Sequence, residues 1–145
     1  MKRFLAYILL VIFLTGCSLG EKKSPVEGGW KLVYANNPSV DFNYPENITG
    51  SAVKFWTSGT FAFTGHFKTD TATIINYGWG TYKLTEGNRY EESIMYHHLM
   101  EASIGNTIKM ILEVKNDTLY QIWPVDENWQ PSEKHNIEKF VRLNK

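Results

Sequence analysis

Cys17 is the only cysteine in this chain. A disulfide, a multi-cysteine zinc site and a thiol nucleophile elsewhere in the chain are thereby excluded, so the fold must be held by packing. A basic excess is missing as well. The 15 Lys and Arg are matched by 15 Asp and Glu, which leaves no surplus to neutralise a phosphate backbone and argues against nucleic acid as a partner. No serine stands in a nucleophile-elbow context, and no phosphate-binding loop or zinc motif appears. Catalysis is therefore not expected and no cofactor is implied, although carboxylate pairs could still meet in three dimensions. Long apolar runs are confined to Phe4–Leu14, which falls short of the roughly 20 residues a membrane-spanning helix needs.

That run lies between Lys2-Arg3 and the small residues Thr15-Gly16, the layout of a removable export signal. Leu14-Thr15-Gly16-Cys17 has the form of a bacterial lipobox. It implies cleavage before Cys17 and acylation of that residue, palmitate-like chains holding the protein to a membrane at about 0.8 kcal/mol per buried CH₂. The alternative is an ordinary signal peptide with an incidental cysteine. The expected organisation is a signal at 1–16, a lipidated cysteine and polar tether at 17–27, and one domain at 28–145. Without Lys2 and Arg3 the remaining chain is slightly acidic. Ser18 is not an aspartate, which by analogy with sorting rules in some Gram-negative bacteria favours the outer membrane over the cell membrane. The domain is expected to face the periplasm or the cell surface.

From Gly28 onward, strand patterns follow one another. Trp30, Leu32 and Tyr34 alternate with Lys31 and Val33, and Val53 and Phe55 with Lys54 and Trp56. Strands are also expected over Thr60–Phe67, Gly78–Leu84, Arg89–Tyr96, Asn106–Val114, Thr118–Trp123 and Asn136–Leu143. Thr57-Ser58-Gly59, Glu86-Gly87-Asn88 and Lys115-Asn116-Asp117 supply turns of hairpin length. His98–Ile104 could form a helical turn, ended by Gly105, and two longer loops are expected at Asn36–Gly50 and Pro124–His135. Eight antiparallel strands in hairpin order remove both exposed edges by closing. The fold expected is all-β, an eight-stranded up-and-down antiparallel barrel, whose interior is either filled or holds one small ligand.

Gly28-Gly29-Trp30 at the start of the first strand and Arg142 near the end of the last resemble the Gly-x-Trp and arginine of lipocalins and their calycin relatives. Gly80-Thr81-Tyr82 and Gly87-Asn88-Arg89-Tyr90-Glu91-Glu92-Ser93-Ile94 are similar to a pattern of small bacterial lipocalin-like domains, many of them lipoproteins. The resemblance implies that Arg142 packs over Trp30 as a structural pair. The arginine and tyrosine set with which fatty-acid-binding relatives hold a carboxylate is not found here, so a fatty acid is not implied.

Phe55, Phe61, Tyr82, Tyr90, Glu92, Tyr96 and Trp123 are the candidate lumen residues for a small, mainly apolar ligand. Tyr90, Glu92, Ile94 and Tyr96 share a strand face by period two, which aims the Glu92 carboxylate inward. It either fixes the polar end of a ligand or closes a hydrogen-bonded pair with a tyrosine or arginine. Adjacent strand residues point to opposite faces, so His97 and His98 are read as loop histidines and no metal site is expected. Trp129, in the polar loop 126–131, is either a contact for a sugar or a partner protein or a lid over the barrel mouth, with Phe42 and Tyr44 at the same rim. An envelope protein or glycan is thus the alternative partner to a lumen ligand. Asn47-Ile48-Thr49 and Asn116-Asp117-Thr118 are read as turns rather than glycosylation sites.

Overall fold

The computed structural model describes residues 24–40 and 42–143. Nine strands run as β1 (Gly28–Asn37), β2 (Phe42–Tyr44), β3 (Thr49–Thr57), β4 (Thr60–Lys68), β5 (Thr73–Leu84), β6 (Arg89–His97), β7 (Thr107–Lys115), β8 (Thr118–Val125) and β9 (Pro131–Arg142). All pairings are antiparallel, and β1 pairs with β9 to close the sheet. Eight strands form the barrel. The ninth, β2, is a short addition paired only with the end of β1, and it falls within the first loop expected from the sequence. Two barrel strands also start earlier than expected, β5 at Thr73 and β9 at Pro131.

The turns follow from their residues. Ser58 and Gly59 both have positive φ (45° and 79°), as do Asn116 and Asp117 (49° and 62°), the geometry whose twist suits a two-residue hairpin. Glu101–Ser103 forms a single 3-10 turn between β6 and β7, and Gly105 (φ 83°) follows it.

Packing divides the barrel into a closed base and an open mouth. At the base, Val26, Trp30, Trp56, Tyr90 and Leu119 are each less than 2% exposed. Burying one such large apolar side chain contributes about 1.5–3 kcal/mol. Trp30 Nε1 donates to the Val26 carbonyl at 2.7 Å. The Arg142 guanidinium lies 4.3 Å from the Trp30 ring and donates to the carbonyls of Glu27 (3.0 Å) and Pro25 (2.8 Å). Residues 24–27, expected as the end of a tether, therefore belong to the barrel. Gly78 and Gly80 let rings cross β5. A Cβ on Gly80 would meet the Ser93 carbonyl oxygen at 2.2 Å and the Phe61 ring at 2.9 Å, and one on Gly78 would meet the Phe63 ring at 2.7 Å. The pairing of β1 with β9 closes the barrel around this core.

Candidate functional site

Above the base the barrel holds a cavity of about 350 Å³, within the range of small-molecule sites. Its walls are mainly apolar, among them Leu32, Phe63, Phe67, Ile94, Ile108 and Phe140. Asn36, Asn37, Val40 and Phe42 surround one side of its mouth, Leu99 and Met100 the other. Phe42 and Tyr44 brace this rim by packing edge-on against Phe67, at 5.4 and 5.5 Å between ring centres.

A polar network crosses the floor of the cavity. Lys54, buried on β3, forms an ion pair with Glu92 on β6 and donates to Gln121 Oε1 on β8 at 3.3 Å. Tyr90 donates its hydroxyl proton to Glu92 at 2.6 Å and accepts from Trp56 Nε1 at 2.6 Å. Gln121 Nε2 contacts Met110 Sδ at 2.9 Å. Burial first, and then the neighbouring Glu92, push the Tyr90 hydroxyl well above the ordinary tyrosine range, so it stays a donor. Of the two roles weighed for Glu92, the geometry builds the closed pair, with Tyr90 and with Lys54 in place of an arginine. Lys54 also lies over the rings of Trp56 and Phe61, at 4.9 and 4.8 Å. A buried cation is stable here because it is paired, hydrogen-bonded and flanked by aromatic faces.

Glu138 on β9 also lines the cavity, yet no hydrogen bond or ion pair engages its carboxylate among the described residues. Its removal from bulk water raises its pKa from the usual carboxylate range to about 7, the nearby Lys54 opposing that rise and Glu92 adding to it. Two further polar atoms of cavity-lining residues, Asn76 Oδ1 and Trp123 Nε1, are buried without a partner among the described residues.

The candidate lumen residues fall into three groups. Glu92 and Trp123 line the cavity. Phe61, Tyr82 and Tyr90 face inward but pack into the base rather than the cavity wall, with Tyr82 and Tyr90 5.7 Å apart. Phe55 and Tyr96 are corrections, for both point outward. Phe55 is 46% exposed because β3 turns Lys54 and Trp56 inward instead. Tyr96 is 38% exposed because the register of β5 with β6 slips between Trp79 and Gly80. The bulge moves the inward position from Tyr96 to His97.

His97 is therefore buried at the cavity wall and is not a loop histidine. Its Nδ1 accepts from the Met100 N–H at 3.1 Å. Burial first, and then Lys54, lower its pKa, in keeping with a neutral ring. His98 points outward and stacks on Tyr77 at 4.6 Å. Among the described residues no group of three His, Cys, Asp or Glu could hold a metal ion. Trp129 does not line the cavity: it lies on the outer wall, partly exposed, with Arg89 and Lys109 over its ring at 5.5 and 5.4 Å. Glu138, Lys54 and His97 were missed because each is polar, and hydropathy alone assigns such residues to the outside. Period-two alternation counted back from Phe140 would have found Glu138.

Residues 1–18 match the family model described as prokaryotic membrane lipoprotein lipid attachment site. No curated protein matches the chain. Cys17, inside the matched segment, lies outside the described residues. No helix among the described residues is long and apolar enough to cross a membrane. The chain is thus a lipid-anchored, membrane-associated lipoprotein carrying an eight-stranded barrel.

Proposed function

We propose that this lipoprotein binds a small, mainly apolar molecule in its barrel, without catalysing a reaction on it. The observation that carries this reading is the cavity of about 350 Å³, apolar-walled and placed above a packed base. A barrel that only needed to fold would fill that space, since close packing is the rule in protein interiors. The lipocalin-like resemblance of Trp30, Arg142 and the Gly80–Ile94 region points the same way.

The test is uptake of n-decanol by residues 18–145, followed by native mass spectrometry. Ala35 is buried on β1 and lines the cavity, so Ala35→Trp fills it from within. Wild type is expected to carry one decanol and Ala35→Trp none, with the circular dichroism of both matching. Equal uptake by the two proteins would place binding elsewhere and overturn the reading.

A second reading has one observation in its favour. Ile75, Trp79 and Met95 are each about half exposed on the outer wall of β5 and β6, an apolar surface suited to an envelope protein or glycan. Loss of a captured partner in Trp79→Ala would support that contact.

A further inference from the structure

We infer that the cavity selects an amphiphilic cation, an apolar body ending in a protonated amine that pairs with Glu138. This rests on the ligand-binding reading above and names the chemical class of the ligand.

The argument is one of charge and partners inside the barrel. Two carboxylates, Glu92 and Glu138, and one lysine, Lys54, line the same cavity. Lys54 is committed to Glu92 and Gln121. Glu138 is left over, with a side chain that reaches the cavity and no hydrogen-bond or ionic partner among the described residues. The strands beside it offer no cation. Its register partners are Ala35 on β1 and Gln121 on β8. Lys139, next in sequence, has its ammonium over the rings of Tyr34 and Tyr120. The remaining titratable group of the cavity wall is His97, whose pKa burial and then Lys54 lower and whose Nδ1 accepts from the Met100 N–H.

An ionised carboxylate in such a place takes up a proton or a cation. Without ligand the proton serves, which is why Glu138 titrates near 7. An ammonium group replaces that proton and donates up to three hydrogen bonds. Asn76 Oδ1 on β5, on the opposite wall of the cavity, is likewise buried without a partner among the described residues. A ligand carboxylate would meet Glu138 as a like charge, and the lysine it needs is already paired. The cavity therefore disfavours fatty acids and favours long-chain amines.

Three probes of one length separate the possibilities: n-decylamine, n-decanol and decanoate, titrated calorimetrically into residues 18–145. At about pH 8 the amine is expected to bind at least about tenfold more tightly than the alcohol, the scale of one hydrogen bond between charged groups, and decanoate more weakly than either. Glu138→Gln should bring the amine down to the level of the alcohol. At about pH 6, below the Glu138 midpoint of about 7, amine binding should release a proton, seen as heat that varies with the buffer's ionisation enthalpy, and alcohol binding should not. Equal affinity for amine and alcohol in wild type, an amine preference that survives Glu138→Gln, or tightest binding of decanoate would each overturn the inference while leaving a binding cavity. Failure of all three probes to bind would overturn both the inference and the reading it rests on.

Discussion

The base and the mouth of this barrel are made by opposite ends of the same eight strands, and they differ in what fills them. At the base, rings pack against rings: Trp56 meets Phe140 edge-on at 6.2 Å, and Trp30 lies beneath Arg142. Toward the mouth the pairing of β1 with β3 ends at Lys31 and Val53, that of β6 with β7 ends at Ser93 and Thr107, and space remains in the lumen. The boundary between the halves is polar, drawn by Lys54, Glu92, Tyr90 and Gln121. The lesson is that one sheet can provide stability at one end and recognition at the other. Stability should therefore respond strongly to changes at the base and boundary, and weakly to changes at the mouth.

The largest effect is expected at the boundary. Lys54→Met leaves Glu92 buried without its cation and should cost about 3–5 kcal/mol in denaturant unfolding. The double variant Lys54→Met with Glu92→Gln should recover much of that loss, and a double variant no more stable than the single one would show that pairing is not the cause. Next comes the contrast between the ends themselves. Phe61→Ala removes a ring buried in the base, whereas Phe42→Ala removes a half-buried ring at the rim. The base variant should be less stable by about 2–3 kcal/mol than the rim variant, and equal losses would break the comparison.

Glu138 gives a smaller effect of opposite sign. Its folded-state pKa lies above its unfolded value, so the folded protein binds that proton more tightly. Stability from this group is full below about pH 4.5 and declines until pH passes about 7. Glu138→Gln removes the decline and should stabilise the protein by about 2 kcal/mol at about pH 8, with no gain at about pH 4. Thermal melts at the two pH values check both arms. The smallest effect belongs to His97, whose lowered pKa means that protonation on acidification costs folded-state stability. A protonated ring can no longer accept from Met100. Amide exchange at Met100, corrected for the intrinsic pH dependence, should quicken on acidification while that of Leu119 in the base stays slow.

The base was legible in the sequence and the mouth was not, for a physical reason. Trp30, Phe61 and Tyr90 are large and apolar, and alternation with polar neighbours assigns them inward without knowledge of the rest of the fold. The hairpin turns were equally legible, since Ser58-Gly59 and Asn116-Asp117 are residue types that tolerate positive φ. Lys54 is different, because its burial depends on Glu92 and Gln121, which lie 38 and 67 residues further along the chain. Alternation in β3 accordingly predicts Phe55 inside, one residue out of phase with the buried Lys54 and Trp56. Tyr96 failed through a bulge, which no period-two count can detect. Glu138 escaped notice because an unpaired carboxylate facing a lumen looks, in one dimension, like any surface glutamate.

The clamp at the base has a mechanical consequence. A pull on the membrane anchor would enter the domain at Ser24 and run into β1, a strand flanked by β3 on one side and β9 on the other. Arg142 ties the carbonyls of Pro25 and Glu27 to the last strand, and Trp30 holds that of Val26. Force would thus meet these side-chain ties at the base before it reached the rows of hydrogen bonds on either side of β1. Tugging by a moving membrane would be absorbed at the end where the rings are packed, and the hollow end would keep its shape.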